Sequence, residues 1–330
     1  MKAIIVDTFG PPSNLLIKDV PKPIPKPGQV LIRIKAFGLN RAELYMRRGE
    51  WAESMPIIGI ECVGIIEACP DNSFPVKTAV AALMGGLGRT INGSYAEYTV
   101  APVLNVATLA ESEDDLCLSW EQAAAIPETY ATAWMCLFGN LELKKGQKLL
   151  VRGATSALGL AAVTLAAHFG ARVTGTTRNP GRHSQLIEAG AETVEPEDSH
   201  LAERLNLREA AKFDTVLELV GNSTLLESLA LVRRGGRLCL AGFVGGVAPI
   251  NFNPLLQMVS GVHFSFFGSF VLGTEPFPLS EVPLQEILKM VASGELEVKP
   301  SRVFRFDEIQ EAHEMMEANE ANGKLVILGC

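Results

Sequence analysis

No apolar run in the 330 residues reaches the roughly 18 that a membrane helix needs, and the apolar start of MKAIIVDTFG is too short for a signal peptide. The expectation is a soluble, cytoplasmic protein. There is no basic tract either: 29 Lys and Arg are scattered against 37 Asp and Glu, for a net charge of -8. That balance disfavours nucleic acid and anionic membrane surfaces as partners. The 6 cysteines (Cys62, Cys69, Cys117, Cys136, Cys239 and Cys330) form no CxxC pair and have no histidine at ligand spacing. They read as reduced, mostly buried thiols.

What is present is too long for a single core, so two domains are expected. The first third is β-rich: KAIIVD, NLLIKD and QVLIRIKAF read as strands, PKPIPKPG as an extended connector, and TAVAAL and SYAEYTVA as further strands. At about residue 120 the texture changes. SWEQAAAIPETYATAWMCLF is helical in period, and a regular strand–helix alternation follows: KLLVRG, LGLAAVTLAAHFG, RVTGTT, RHSQLIEAG, FDTVLELVG, a helix to Val232, and GRLCLAGF. This order predicts an α/β unit with a doubly wound parallel sheet. Beyond Gly261 come helices at Leu284 to Ala292 and Asp307 to Ala318 and a closing strand KLVIL, a tail too small for its own core.

LLVRGATSALGLAA puts a small-residue turn between a strand and a helix, where a dinucleotide pyrophosphate meets a helix N-terminus. Ala154 and Ser156 occupy the first two positions of the GxGxxG pattern and only Gly159 keeps its glycine. The alternative is a turn whose residues are small for packing alone. The setting, at the first of several βα units, favours a cofactor loop formed by Ala154, Thr155, Ser156, Ala157, Leu158 and Gly159. At the end of the next strand, TGTTRNPGR has no acid to accept from an NAD ribose and supplies Thr176, Arg178 and Arg182. Arginine there pairs with a 2′-phosphate, so NADPH is the expected cofactor, against a reading in which both arginines only solvate a loop.

AFGLNRAELYMRRG, PIIGIECVG, GSYAEYTVAP, LLVRGATSALG and FDEIQEAHEMMEANEANGKLVIL together resemble the medium-chain dehydrogenase/reductase superfamily, in its zinc-free quinone oxidoreductase branch. The resemblance implies a GroES-like catalytic domain from residues 1–122 and 265–330 and a Rossmann NADPH-binding domain at 123–264. It implies a metal-independent reductase of quinones or α,β-unsaturated carbonyls. Rivals are a pathway-specific enoyl reductase and an NADPH-binding sensor with little turnover. Zinc members carry cysteine where this chain has Asn40 and histidine where it has Ile60, and neither replacement ligates zinc. No metal site is expected.

By the same resemblance, Tyr45 hydrogen-bonds or protonates the substrate oxygen and Asn40 orients substrate or nicotinamide ribose. Helix capping by Asn40 and packing by Tyr45 are the competing readings. Trp51 would line the pocket and Thr132 approach the nicotinamide, while Gly242, Phe243, Phe267, Gly268 and Ser269 would lie along the cofactor. HEMME lacks the second histidine of HExxH, and His263 and His168 read as structural. Glu61, beside Cys62 in IIGIECVG, reads as a partly buried carboxylate accepting hydrogen bonds or paired with an arginine. VHFSFF would pair across a two-fold axis in a homodimer.

Overall fold

The computed structural model describes residues 1–51, 53–206 and 208–330. In chain order the strands are β1 (Lys2–Val6), β2 (Leu15–Asp19), β3 (Gln29–Leu39), β4 (Glu61–Ala68), β5 (Ala79–Leu83), β6 (Tyr98–Pro102), β7 (Val106–Ala110), β8 (Lys148–Arg152), β9 (Arg172–Thr177), β10 (Thr193–Pro196), β11 (Phe213–Glu218), β12 (Val232–Leu240), β13 (His263–Phe266), β14 (Arg302–Phe304) and β15 (Leu325–Leu328). The helices are α1 (Arg41–Arg48), α2 (Trp120–Ala124), α3 (Pro127–Trp134), α4 (Ala157–His168), α5 (His183–Glu188), α6 (Leu201–Leu205), α7 (Asn222–Leu231), α8 (Pro254–Gln257), α9 (Leu284–Ala292) and α10 (Ile309–Glu317). None is long and apolar enough to cross a membrane, among the described residues.

The chain divides into two units, Met1–Ala131 with Ser269–Cys330, and Thr132–Gly268. The seam falls later than the change in texture near residue 120 because α2 packs on β3, β4 and β15 and so stays with the β-rich part. The expected long helix is also cut. Pro127, which has no N–H to donate, begins α3 after α2 has ended, and α3 runs into a wide π-helical turn over Met135–Asn140.

In the first unit a seven-stranded sheet runs β14-β15-β3-β4-β5-β7, with β6 also on β3. Strand β3 is long enough to serve two partners on one side: Gln29 to Arg33 pair with β6, and Ala36 to Leu39 pair with β15. Its other side carries β4. Being central, β3 is buried at most positions on both faces, which its near-continuous apolar run QVLIRIKAFGL satisfies.

In the second unit six strands, all parallel, take the order β10-β9-β8-β11-β12-β13. Renumbered from β8, this is 3-2-1-4-5-6, the doubly wound arrangement whose order reverses between β8 and β11. Leu150, Val216, Leu229, Val232 and Leu238 centre its core. Ligands of such sheets bind outside the carboxyl ends of the strands at the reversal, which here means the loops following β8 and β11.

Candidate functional site

In the first unit, α1 starts where β3 ends. The Asn40 backbone N–H donates to Glu43 Oε2 at 2.8 Å, and Gly49, at φ 74°, closes the helix in the left-handed conformation that glycine tolerates. Asn40 forms a capping box with Glu43, its Nδ2 also donating to Glu43 Oε1 at 3.4 Å, and its side chain has tertiary partners besides. Its Oδ1 accepts from Lys324 Nζ at 2.6 Å and its Nδ2 donates to Glu61 Oε1 at 2.8 Å. Lys324 Nζ also donates to Glu61 Oε1 at 2.5 Å, and Glu61 Oε2 accepts from the Glu128 N–H at 2.8 Å. Glu61 is thus a structural carboxylate, fully and not partly buried as expected, and its cationic partner is a lysine 263 residues away and not the arginine expected.

Glu43 completes this cluster. It is fully buried, and that burial pushes its carboxyl up to about 8 against the opposing pull of Lys324 and of the Glu43 and Ile60 backbone N–H groups. Cys62, next to Glu61 in β4, is a buried free thiol raised far above the ordinary range by desolvation, so it behaves as a small hydrophobe.

Tyr45 lies one turn into α1 and is half-buried; no hydrogen bond to its hydroxyl forms among the described residues. Trp51 is half-buried as well, and the Arg89 guanidinium lies 5.3 Å from its ring and 5.8 Å from the Phe270 ring. Neither Arg89 nor Lys324 carries a local sequence signal. Each is distinguished only by what tertiary folding places against it.

In the second unit, Ser156 caps α4: its Oγ accepts from the Gly159 N–H at 3.1 Å and donates to the Gly153 carbonyl at 2.9 Å. Gly159 is indispensable for a steric reason, since a Cβ there would sit 2.6 Å from the carbonyl oxygens of Ala154 and Gly153. Ala154 is buried beneath the loop, and Thr155, Ser156, Ala157 and Leu158 form its partly exposed rim at the helix N-terminus. Gly242 similarly lets the end of β12 approach the neighbouring loop, because a Cβ would meet the Leu219 carbonyl oxygen at 2.7 Å. Phe243 lies beside Gly221, so the loops after β11 and β12 run side by side.

Other expected contact residues are more enclosed. Thr132 is buried on α3, and Phe267 is buried with its N–H on the Leu240 carbonyl at 2.9 Å. Gly268 ends the second unit, and Ser269 opens the returning segment of the first. Thr176 is fully buried; its hydroxyl donates to Glu197 Oε2 and accepts from the Gly153 N–H at 3.1 Å, so it braces the loop from beneath. Arg178 is exposed and makes no ion pair among the described residues, while Arg182 closes a short 3-10 turn.

Glu197 is an acid near the end of β9 that TGTTRNPGR does not reveal. It is not available to a ribose, because it is held by the fully buried Arg152 through Nε at 3.2 Å and through Nη2. Arg152 also reaches Glu227 at 2.7 Å and lies 3.9 Å from Glu218. Burial raises Glu218, with Arg152 opposing. Arg178, the residue after β9, thus remains an exposed positive charge, and the donors present fit a 2′-phosphorylated dinucleotide.

A 3-2-1-4-5-6 sheet with this loop, carried in a chain whose two outer segments build a β-rich unit, defines a dinucleotide-linked dehydrogenase or reductase architecture. Two family models match the chain: an alcohol dehydrogenase GroES-like domain over residues 26–111 and a zinc-binding dehydrogenase over residues 189–327. Human quinone oxidoreductase is 30% identical over 341 residues, covering 99% of this chain and 98% of that protein. Among solved structures, a quinone oxidoreductase of Pseudomonas syringae has a TM-score of 0.85 at 29% identity over 99% of both chains. A mycobacterial protein solved as a complex with NADPH has 0.84 at 27%, again over 99% of both. The chain belongs to the medium-chain dehydrogenase/reductase superfamily, in its quinone oxidoreductase-like branch.

The zinc of the second model's name does not suit the side chains here. Asn40 and Glu61 are spent on Lys324, an ammonium that would repel a divalent cation. Among the described residues no group of three or more His, Cys, Asp or Glu is arranged to hold a metal ion.

Proposed function

We propose that the chain is an NADPH-dependent oxidoreductase that reduces quinones or α,β-unsaturated carbonyls by hydride transfer. The observation that carries this reading is the full-length match to a quinone oxidoreductase in a chain that keeps the phosphate loop and presents Arg178 without a competing acid. The cofactor supplies the hydride. The protein's part is to hold the pyrophosphate on the α4 N-terminus and the Ser156–Gly159 turn, with Arg178 and Arg182 on the 2′-phosphate and Thr132, Gly242, Phe243, Phe267, Gly268 and Ser269 along the rest of the dinucleotide.

Hydride addition leaves negative charge on the substrate oxygen, and one proton from solvent completes the reduction. The hydroxyl of Tyr45, uncommitted among the described residues, is the donor assigned to that oxygen, Asn40 orients the reacting groups, and Trp51 forms an apolar wall. In domain terms, Met1–Ala131 with Ser269–Cys330 serve catalysis and Thr132–Gly268 bind the nucleotide. The protein works in the cytoplasm as a homodimer joined at β13, an edge strand whose Phe264 and Phe266 are exposed.

The test follows NADPH absorbance against a panel of quinones and enones, with NADH in parallel. Turnover with NADPH on at least one acceptor, faster than with NADH, is the expected result. Tight NADPH binding without oxidation across the panel would overturn the reading.

A further inference from the structure

Asn40 is half-exposed, yet everything that fixes its carboxamide lies on the buried side. We infer that Lys324 is a positioning residue for the reaction: its ammonium, with Glu61, locks the Asn40 carboxamide in one orientation. The inference rests on the reading above, in which Asn40 faces the reacting groups.

The lock is defined by polarity. Lys324 is 5% exposed and has only donors to offer, and Asn40 Oδ1 receives one of them at 2.6 Å. Glu61 offers only acceptors, and Asn40 Nδ2 gives it one hydrogen at 2.8 Å. A flipped carboxamide would set N–H against ammonium and oxygen against carboxylate. Both contacts would become repulsive in a buried setting that strengthens each of them. The cation on Oδ1 also polarises the amide, which strengthens its Nδ2 hydrogens as donors.

The fold reserves the space for this pair. Lys324 immediately precedes β15, Glu61 begins β4, and Gly38 of β3 lies between those strands. A Cβ at Gly38 would lie 2.4 Å from both Glu61 Oε1 and Lys324 Cε, and 2.9 Å from Nζ. Gly38 has no positive φ, so room for the ion pair is what requires glycine. The anchors do not drift: the Glu128 N–H holds Glu61, and the Ile60 N–H holds Glu43 Oε1 at 3.1 Å. The titratable and charged groups around the lock are Glu43 from α1, Glu61 from β4 and Lys324 itself, with Tyr95 and Arg47 acting at longer range.

The experiment compares wild type with Lys324→Met/Glu61→Gln, Lys324→Arg, Asn40→Ala and the triple variant. The paired substitution removes the carboxylate that Lys324→Met alone would strand, and Lys324→Arg keeps the charge. At saturating NADPH, the paired variant is expected to lose at least about tenfold in kcat with KM and NADPH affinity within about threefold. Lys324→Arg recovers most of the loss, and adding the pair to Asn40→Ala costs nothing further. Wild-type kcat in a folded paired variant, or a loss that adds to that of Asn40→Ala, would overturn the inference. A second readout needs no turnover: hydrogen exchange at the Asn40 side-chain amide, assigned by its disappearance in Asn40→Ala, should be at least about tenfold faster in the paired variant. Unchanged exchange overturns the lock. A wild-type protein inert toward every acceptor overturns the proposed activity instead and leaves exchange to decide the lock.

Discussion

The Tyr95 hydroxyl stands 2.9 Å from His313 Nε2, with both side chains fully buried and 218 positions apart in the sequence. Desolvation, assisted by Arg47 and Arg48, depresses His313 to about 3 from an ordinary 6.5, while desolvation raises Tyr95 well above its usual value. Both partners of this hydrogen bond are therefore neutral at pH 7, His313 as imidazole and Tyr95 as phenol. A depressed folded value means that stability is complete above the unfolded value and falls as pH drops from 6.5 toward about 3. Urea denaturation between pH 7 and pH 4 should show an added slope approaching about 1.4 kcal/mol per pH unit, absent in His313→Leu. Equal slopes in the two proteins would count against it.

Arg152 sits among Glu197, Glu218 and Glu227 with no exposure of its own. Arg152→Met strands these carboxylates, and a loss of about 3–5 kcal/mol at pH 8 is expected. Protonating the raised Glu218 relieves part of the stranded charge, so the loss should be smaller at pH 5. Chemical denaturation at the two pH values decides it.

Arg178→Ala should weaken NADPH about tenfold and leave NADH affinity unchanged, because the side chain is exposed and the contact charge-assisted. Fluorescence titration with the two cofactors measures this. Parallel loss for both would remove Arg178 from the 2′-phosphate.

Tyr45→Phe keeps the ring and deletes the hydroxyl that no described residue occupies. Loss of a donor to developing charge predicts about 10-fold to 100-fold lower kcat with NADPH affinity unchanged. Stopped-flow single turnovers separate this from slower product release.

The second unit was legible in the sequence because each strand and helix carries its own period, and order alone dictates a parallel sheet. RVTGTT became β9 and FDTVLELVG contains β11. Asn40 and Ile60, standing where zinc members carry cysteine and histidine, argue in the sequence against a metal-binding interpretation of IIGIECVG. Lys324 could not be found that way: GKLVIL marks a strand, and nothing local says that its lysine meets Glu61 above Gly38. Glu197 was hidden similarly, since it follows the end of the strand after the one where an acid is sought. Burial and partnership at these sites are properties of sheet register, which a linear pattern does not carry.

The division of β3 between β6 and β15 has a consequence for synthesis. Residues 132–268 form a sheet from one continuous stretch and are complete while the strand that covers Ala36 to Leu39 has yet to be made. On the ribosome the nucleotide-binding unit can reach its native form first, whereas the β-rich unit waits, with one side of β3 half-paired, for residues 325–328. The same late arrival brings Lys324 to Glu61, so until then that carboxylate lacks its cation. Completion of the sheet and neutralisation of its interior charge are one event in the life of the nascent chain.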